Sequence, residues 1–140
     1  MDLKISKKHL DLIKRHGEQA YPDECCGFLL GRLDSDKQVL MTLNAANARE
    51  EQEKYHRFLI TPENYLRCEK LARAENLDIL GFYHSHPDAE ARPSSYDLEH
   101  AWPWYSYLIV SVHDGKIKEV TSWVLEDNRT QFNFENICVV

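Results

Sequence analysis

The chain has no run of apolar residues approaching the ~20 needed to cross a bilayer. Its opening stretch, MDLKISKKHLDLIKRHGEQA, also lacks the uninterrupted apolar core of an export signal. The expectation is a cytoplasmic protein with no membrane partner. Basic residues are not in excess either: 17 Lys+Arg stand against 23 Asp+Glu, a formal charge of −6. A nucleic-acid binder wants a basic footprint, so that partner class is not expected. The four cysteines, Cys25, Cys26, Cys68 and Cys138, include no CxxC pair. A thiolate zinc site or a thioredoxin-type centre therefore has little support, and adjacent Cys25 and Cys26 read as small, reduced, buried side chains. Linkers, repeats and low-complexity stretches are absent, so residues 1–140 read as a single domain.

What is present is ordinary for a globular chain of 140 residues: 43% apolar and 29% charged. A domain of this size buries about two-thirds of its unfolded surface and needs no staples. Patterning gives a strand at Leu3–Ile5, then a helix capped by Ser6 with Leu10, Ile13 and Ala20 inward, stopped at Tyr21-Pro22-Asp23. Glu24–Gly31 reads as a buried strand, 33–37 as a turn, Val39–Leu43 as a strand and polar Asn44–Lys54 as a loop. Phe58–Ile60 reads as a strand before a helix capped by Thr61, with Pro62 in its first turn, running to about Asn76. Then come a strand over Asp78–His86, a short helix from about Ser94, and a hairpin of Tyr107–Val112 with Lys116–Leu125 about Asp114-Gly115. Gln131–Val140 has strand-like stretches. The class is α+β (mixed α/β), with a mainly antiparallel sheet and two or three helices.

The chemistry concentrates in Gly81-Phe-Tyr-His-Ser-His-Pro87 and the residues up to Asp97. Strand residues two apart face the same side, so His84 and His86 project two imidazoles into one space at a strand end. Ser94 and Asp97, i and i+3 at a helix start, share one face. Two imidazoles and a carboxylate suit catalytic Zn²⁺, leaving the fourth tetrahedral position for water, whose pKa the ion brings to about 7. Glu24, at the start of a buried strand, is placed to serve as the missing proton shuttle.

With these residues in order, the sequence resembles the JAMM (MPN+) metalloproteases. Their signature is a distant Glu, then His-x-His, seven residues, Ser, two residues and Asp. Here Glu24, His84-Ser85-His86, Pro87 to Pro93, Ser94 and Asp97 fit without a gap. The resemblance covers about Ile5 to Trp123. It implies one zinc ion held by His84, His86 and Asp97, with Glu24 as general acid/base and Ser94 stabilising the oxyanion. It also implies a curved sheet flanked by helices, similar to cytidine deaminases. The deubiquitinating members' large insertion after the Asp is missing, so the chain looks like the compact bacterial type. Those members process small ubiquitin-like sulfur-carrier proteins. The expected reaction is hydrolysis of a peptide-like bond after a carrier's C-terminal Gly-Gly, its tail laid along a sheet edge.

Plainer readings stand beside these. His84 and His86 taken alone are polar strand residues; Ser94 alone is an N-cap and Asp97 a first-turn acid. His100 lies a turn beyond Asp97 and reads as a second-layer or solvent group. His9, His16, His56 and His113 read as surface groups. Trp102 and Trp104 suit either a groove or packing, and the acidic segment after Asn47 either solvent or substrate. Two other functional classes share the fold: a non-catalytic MPN scaffold, and a zinc nucleobase deaminase, whose His-x-Glu and Pro-Cys-x-x-Cys signatures are absent. The oligomeric state, the carrier and the released amine are not legible.

Overall fold

The computed structural model describes residues 1–45 and 60–140. Its elements are β1 (Leu3–Ile5), α1 (Lys7–Ala20), β2 (Cys26–Leu33), β3 (Lys37–Ala45), α2 (Pro62–Ala74), β4 (Asp78–Pro87), α3 (Ser95–His100), β5 (Ser106–His113), β6 (Lys116–Leu125), β7 (Phe132–Glu135) and β8 (Ile137–Val139). The expected strand at Phe58–Ile60 lies mostly outside the described residues, as does His56; Ile60 itself is not in a strand.

Local chemistry sets the helix starts. Ser6 and Thr61 are extended, and each side-chain oxygen accepts the backbone N–H three residues on, from His9 and Asn64. Pro62 occupies the first turn of α2, where no backbone donor is needed.

The strands form one sheet in the order β7-β6-β5-β4-β2-β3-β1-β8. Pairing is antiparallel except for β4–β5, β1–β3 and β1–β8, which are parallel. Eight strands spaced about 4.8 Å apart would set the edges of a flat sheet more than ~30 Å from one another. Yet edge strands β7 and β8 are joined by Asn136 alone, a link of about 7 Å at most. The sheet must therefore curl back on itself.

Strand parity then sorts the core into two layers. On one face Cys25, Leu29, Tyr83, Leu108 and Val110 pack with Leu10 and Ile13 of α1. On the other, Cys26, Phe28, Leu30, Phe82 and Tyr107 pack with Cys68 and Ala72 of α2 and with Ala101 after α3. Gly81 permits the β4–β5 contact: a Cβ there would fall 2.0 Å from the Ser106 carbonyl oxygen.

Three expectations shift. Lys37, read as a turn residue, is the buried first residue of β3. That strand also takes in Asn44 and Ala45, the first two residues of the expected loop, whose remainder, residues 46–54, lies outside the described residues. The ladder of β2 begins at Cys26, leaving Glu24 just before it. His16 is not a surface group: it is half-buried with Nδ1 2.7 Å from the Tyr83 hydroxyl, and burial holds its pKa below the ordinary value.

Candidate metal centre

The site forms where β4 ends on the α2/α3 face of the sheet. His84 and His86 alternate with Phe82 along that face, while Ser85 points to the α1 side, where its hydroxyl accepts the Cys25 N–H at 2.8 Å. The Ser85 N–H in turn donates to the Cys25 carbonyl at 3.1 Å. Cys26 pairs with His84 in the antiparallel ladder. Continuing that register sets Glu24 opposite His86 on the same face, and it is 5% exposed.

Asp97 reaches the histidines from α3. Ser94 is the N-cap: its hydroxyl oxygen accepts the Asp97 N–H at 3.1 Å, and its own N–H donates to Asp97 Oδ2 at 2.8 Å. This reciprocal cap orients the carboxylate. Asp97 Oδ1 then lies 3.3 Å from His84 Nε2 and Oδ2 lies 3.3 Å from His86 Nε2, while the two Nε2 atoms are 3.1 Å apart. Burial pushes the Asp97 carboxyl up, but the charge and hydrogen bonds of the two histidine rings in their protonated form more than offset this and hold it well below the usual carboxylate range.

The donor set fits a tetrahedral cation. Bonds of about 2.0–2.2 Å to zinc place neighbouring ligand atoms roughly 3.3–3.6 Å apart, slightly wider than the 3.1–3.3 Å seen. Tautomer chemistry agrees. His86 Nδ1 is 2.8 Å from the Glu90 carbonyl, which can only accept, so Nδ1 carries the proton of the neutral ring. Its Nε2 is left as a lone pair facing the other donors. One proton on His84 Nε2 could not serve both the His86 nitrogen and the carboxylate, whereas one cation serves all of them.

Glu90 gives no sign in sequence, because it acts through its backbone. The loop carrying it, residues 88–93, is tied down by β5 and β6. Ser111 Oγ donates to the Ala89 carbonyl and Thr121 Oγ1 to the Ala91 carbonyl, both at 2.5 Å, and the Asp88 N–H donates to the Val112 carbonyl at 2.6 Å. Among the described residues His84, His86 and Asp97 are the group able to hold a metal ion. His100 is not part of it; its ring stacks on Tyr96 and sits by the Tyr96 carbonyl at 2.9 Å. Cys25 and Cys26 are buried without a disulfide, and loss of water pushes their thiols up to about 11 and about 12.

A cavity of about 230 Å³ adjoins the centre, with Asp97 in its wall. Ile60, Tyr65, Phe82, Ala101, Trp102 and Tyr107 line it together with Tyr96 and His100. Trp102, 63% exposed, stands at the rim with the Arg129 guanidinium 5.2 Å over its ring. Trp104 instead covers the Lys37 ammonium, 4.6 Å from its ring centre, and lines a separate groove. The expected docking along a sheet edge does not match this layout. Among the described residues β4 is flanked by β2 and β5, and the sheet's edges are β7 and β8.

A buried His-His-carboxylate centre on a curled mixed sheet defines a metallohydrolase architecture. Comparison with known proteins agrees: residues 6–126 match the family described as prokaryotic homologs of the JAB domain, and the chain belongs to it. Desampylases of Haloferax volcanii and Pyrococcus furiosus are 36% and 31% identical to it, over 69% and 74% of this chain and 67% and 68% of theirs. A protein of Desulfitobacterium hafniense known from its solution structure is 30% identical, with a TM-score of 0.86 over 99% of this chain and 92% of its own. The fold is also that of a JAB1/MPN domain protein from Archaeoglobus fulgidus, with 18% identity and a TM-score of 0.59 over 97% of each chain. The chain is an enzyme, a metallopeptidase-type hydrolase acting on peptide or isopeptide bonds. No helix among the described residues is long and apolar enough to cross a membrane.

Proposed function

We propose that this chain is a zinc-dependent metalloprotease or isopeptidase that cuts a peptide-like bond after the C-terminal Gly-Gly of a small ubiquitin-like (sulfur-carrier) protein. In this reading one ion per chain is held by His84, His86 and Asp97. The observation that carries it is the convergence of the two buried Nε2 atoms, 3.1 Å apart, on the Asp97 carboxylate, each 3.3 Å from one of its oxygens, with the His86 tautomer set for ligation. The substrate class is supported by relatives named desampylases. When bound, zinc supplies a Lewis acid for the scissile carbonyl and acidifies a water to a pKa of about 7.

The chain's own residues do the rest. Glu24, buried on the same face, accepts the water's proton and returns it to the departing amine. Ser94 has roles in both cap and chemistry that do not compete. Its oxygen accepts from Asp97 N–H, while its O–H hydrogen remains available to donate to the developing oxyanion. Glycines before the bond favour the reaction because no side chain obstructs the carbonyl's approach to a centre sunk at a strand end.

The test is a β-grasp carrier extended beyond Gly-Gly, offered beside the same carrier with Ala-Ala. Mass spectrometry should show trimming of the Gly-Gly form alone, stopped by a chelator. Equal trimming of both forms would overturn the Gly-Gly reading.

A further inference from the structure

We infer that the cavity beside Asp97 receives a bulky apolar side chain carried by the residue on the amine side of the scissile bond. This inference rests on the Gly-Gly reading above. The cavity starts at the metal centre itself, since Asp97 belongs to both. Its occupant therefore lies within about one residue of the bond being cut. On the acyl side the two nearest residues are glycines, which have nothing to insert. The next side chain upstream begins about 7 Å further away, at 3.3–3.6 Å per residue. Only the residue on the amine side is close enough and has a side chain.

Size and chemistry specify that side chain. The volume is about 230 Å³, whereas an apolar cavity of roughly 150 Å³ already accepts benzene. A benzyl or branched aliphatic group fits. The polar atom of the lining that faces Trp102 is already engaged: Tyr107 Oη accepts the Trp102 N–H at 2.9 Å. Of the other polar groups in the wall, the Asp97 carboxylate is turned to the two histidines and the Ser94 N–H, and the His100 ring is stacked on Tyr96. The rest of the lining offers aromatic faces and the Ala101 methyl, and a charged side chain entering there would lose its water. Exposed Trp102, with Arg129 over its ring, forms a mouth through which the side chain enters.

The experiment extends the carrier beyond Gly-Gly by Phe, Leu, Ala or Asp and competes the four in one tube. Phe and Leu forms should be trimmed at least about tenfold faster than Ala, the usual worth of filling an apolar pocket, with Asp slowest. Trp102→Ala, at an exposed site, should shrink the Phe-to-Ala ratio. Ala101→Leu, which fills the cavity from within, should bring it near one. A separate titration needs no turnover: free phenylalanine should shift the amide resonances of Ala101, Trp102 and Tyr107, and alanine should not. Equal trimming of all four forms, with Gly-Gly still required, overturns the inference and leaves the proposed function standing. A preference that instead tracks a Phe placed three residues before the bond overturns it in the same way. If no Gly-Gly form is trimmed, the Gly-Gly reading fails and the titration alone decides: absent shifts at those amides overturn the cavity's assignment too.

Discussion

Two buried polar clusters lie on this curled sheet, and they are built to opposite ends. At one, Lys37 and Glu135 are 2% and 5% exposed, yet their charges answer each other at 3.8 Å. Lys37 also donates to Ser106 Oγ at 2.9 Å and to the Trp104 carbonyl, while Ser122 Oγ donates to Glu135 Oε1 at 2.7 Å. Donors meet acceptors and charge meets charge. At the other cluster, His84, His86 and Asp97 turn acceptor atoms toward a common point, where the protons available to neutral rings cannot satisfy them all. The first cluster is complete as a protein structure; the second is a group that a cation would complete. Burial of polar groups alone therefore does not mark a functional site, whereas convergence of like acceptors does.

The largest expected effect separates the two clusters. Asp97→Ala should lose metal and activity together while leaving a folded chain, because it removes a ligand rather than a charge partner. Elemental analysis gives the stoichiometry and circular dichroism the fold. Glu24→Gln supplies the contrast within the site: zinc retained, turnover lower by roughly 10²–10⁴-fold. Full metal content in Asp97→Ala would break the distinction drawn above.

Next comes the structural cluster. Lys37→Met leaves the Glu135 carboxylate buried without its cation, which should lower unfolding stability by about 3–5 kcal/mol. Metal content of the folded fraction should not change. Pairing the change with Glu135→Leu should recover most of the loss, because two apolar groups need neither charge nor partner. Denaturant titration of the three proteins measures both steps. A double variant no more stable than the single one would show that Glu135 is held by something other than Lys37.

The same contrast separates what the sequence reveals from what it hides. His84 and His86 are legible because strand parity is local, and Ser94 with Asp97 because a helix cap is written within four residues. Lys37 is not legible: after a Ser-Asp stretch it reads as a turn, and only the closing of the sheet brings Glu135 and Ser106 to it. The Glu90 carbonyl is equally hidden, since any residue type supplies one, and so is the cavity, which joins side chains from α2, β4, β5 and the end of α3. The sheet order, with β4 and β5 parallel and β1 between β3 and β8, depends on pairings distant in sequence. Local chemistry is thus readable, and long-range register is not.

The smallest expected effect concerns a third buried set, close to the metal centre but outside both clusters. Cys25 and Cys26 follow Glu24 directly, so a redox switch there would bear on catalysis. Their surroundings oppose it. Nucleophilic and oxidation chemistry needs the thiolate, and loss of water raises Cys25 to about 11 and Cys26 and Cys68 to about 12, against an ordinary 9.0. Because folding raises these values, the neutral thiols favour the folded state below about pH 9, and that contribution drains away as pH climbs toward 12. At pH 8 the folded protein should therefore let an alkylating reagent reach Cys138, half-buried in β8, and spare the other three. Intact-mass spectrometry should show one adduct on the native chain and four after denaturation. Modification of Cys25 or Cys26 in the native protein, with activity falling in step, would reverse this assignment and place a redox-responsive group beside Glu24, the proposed proton shuttle.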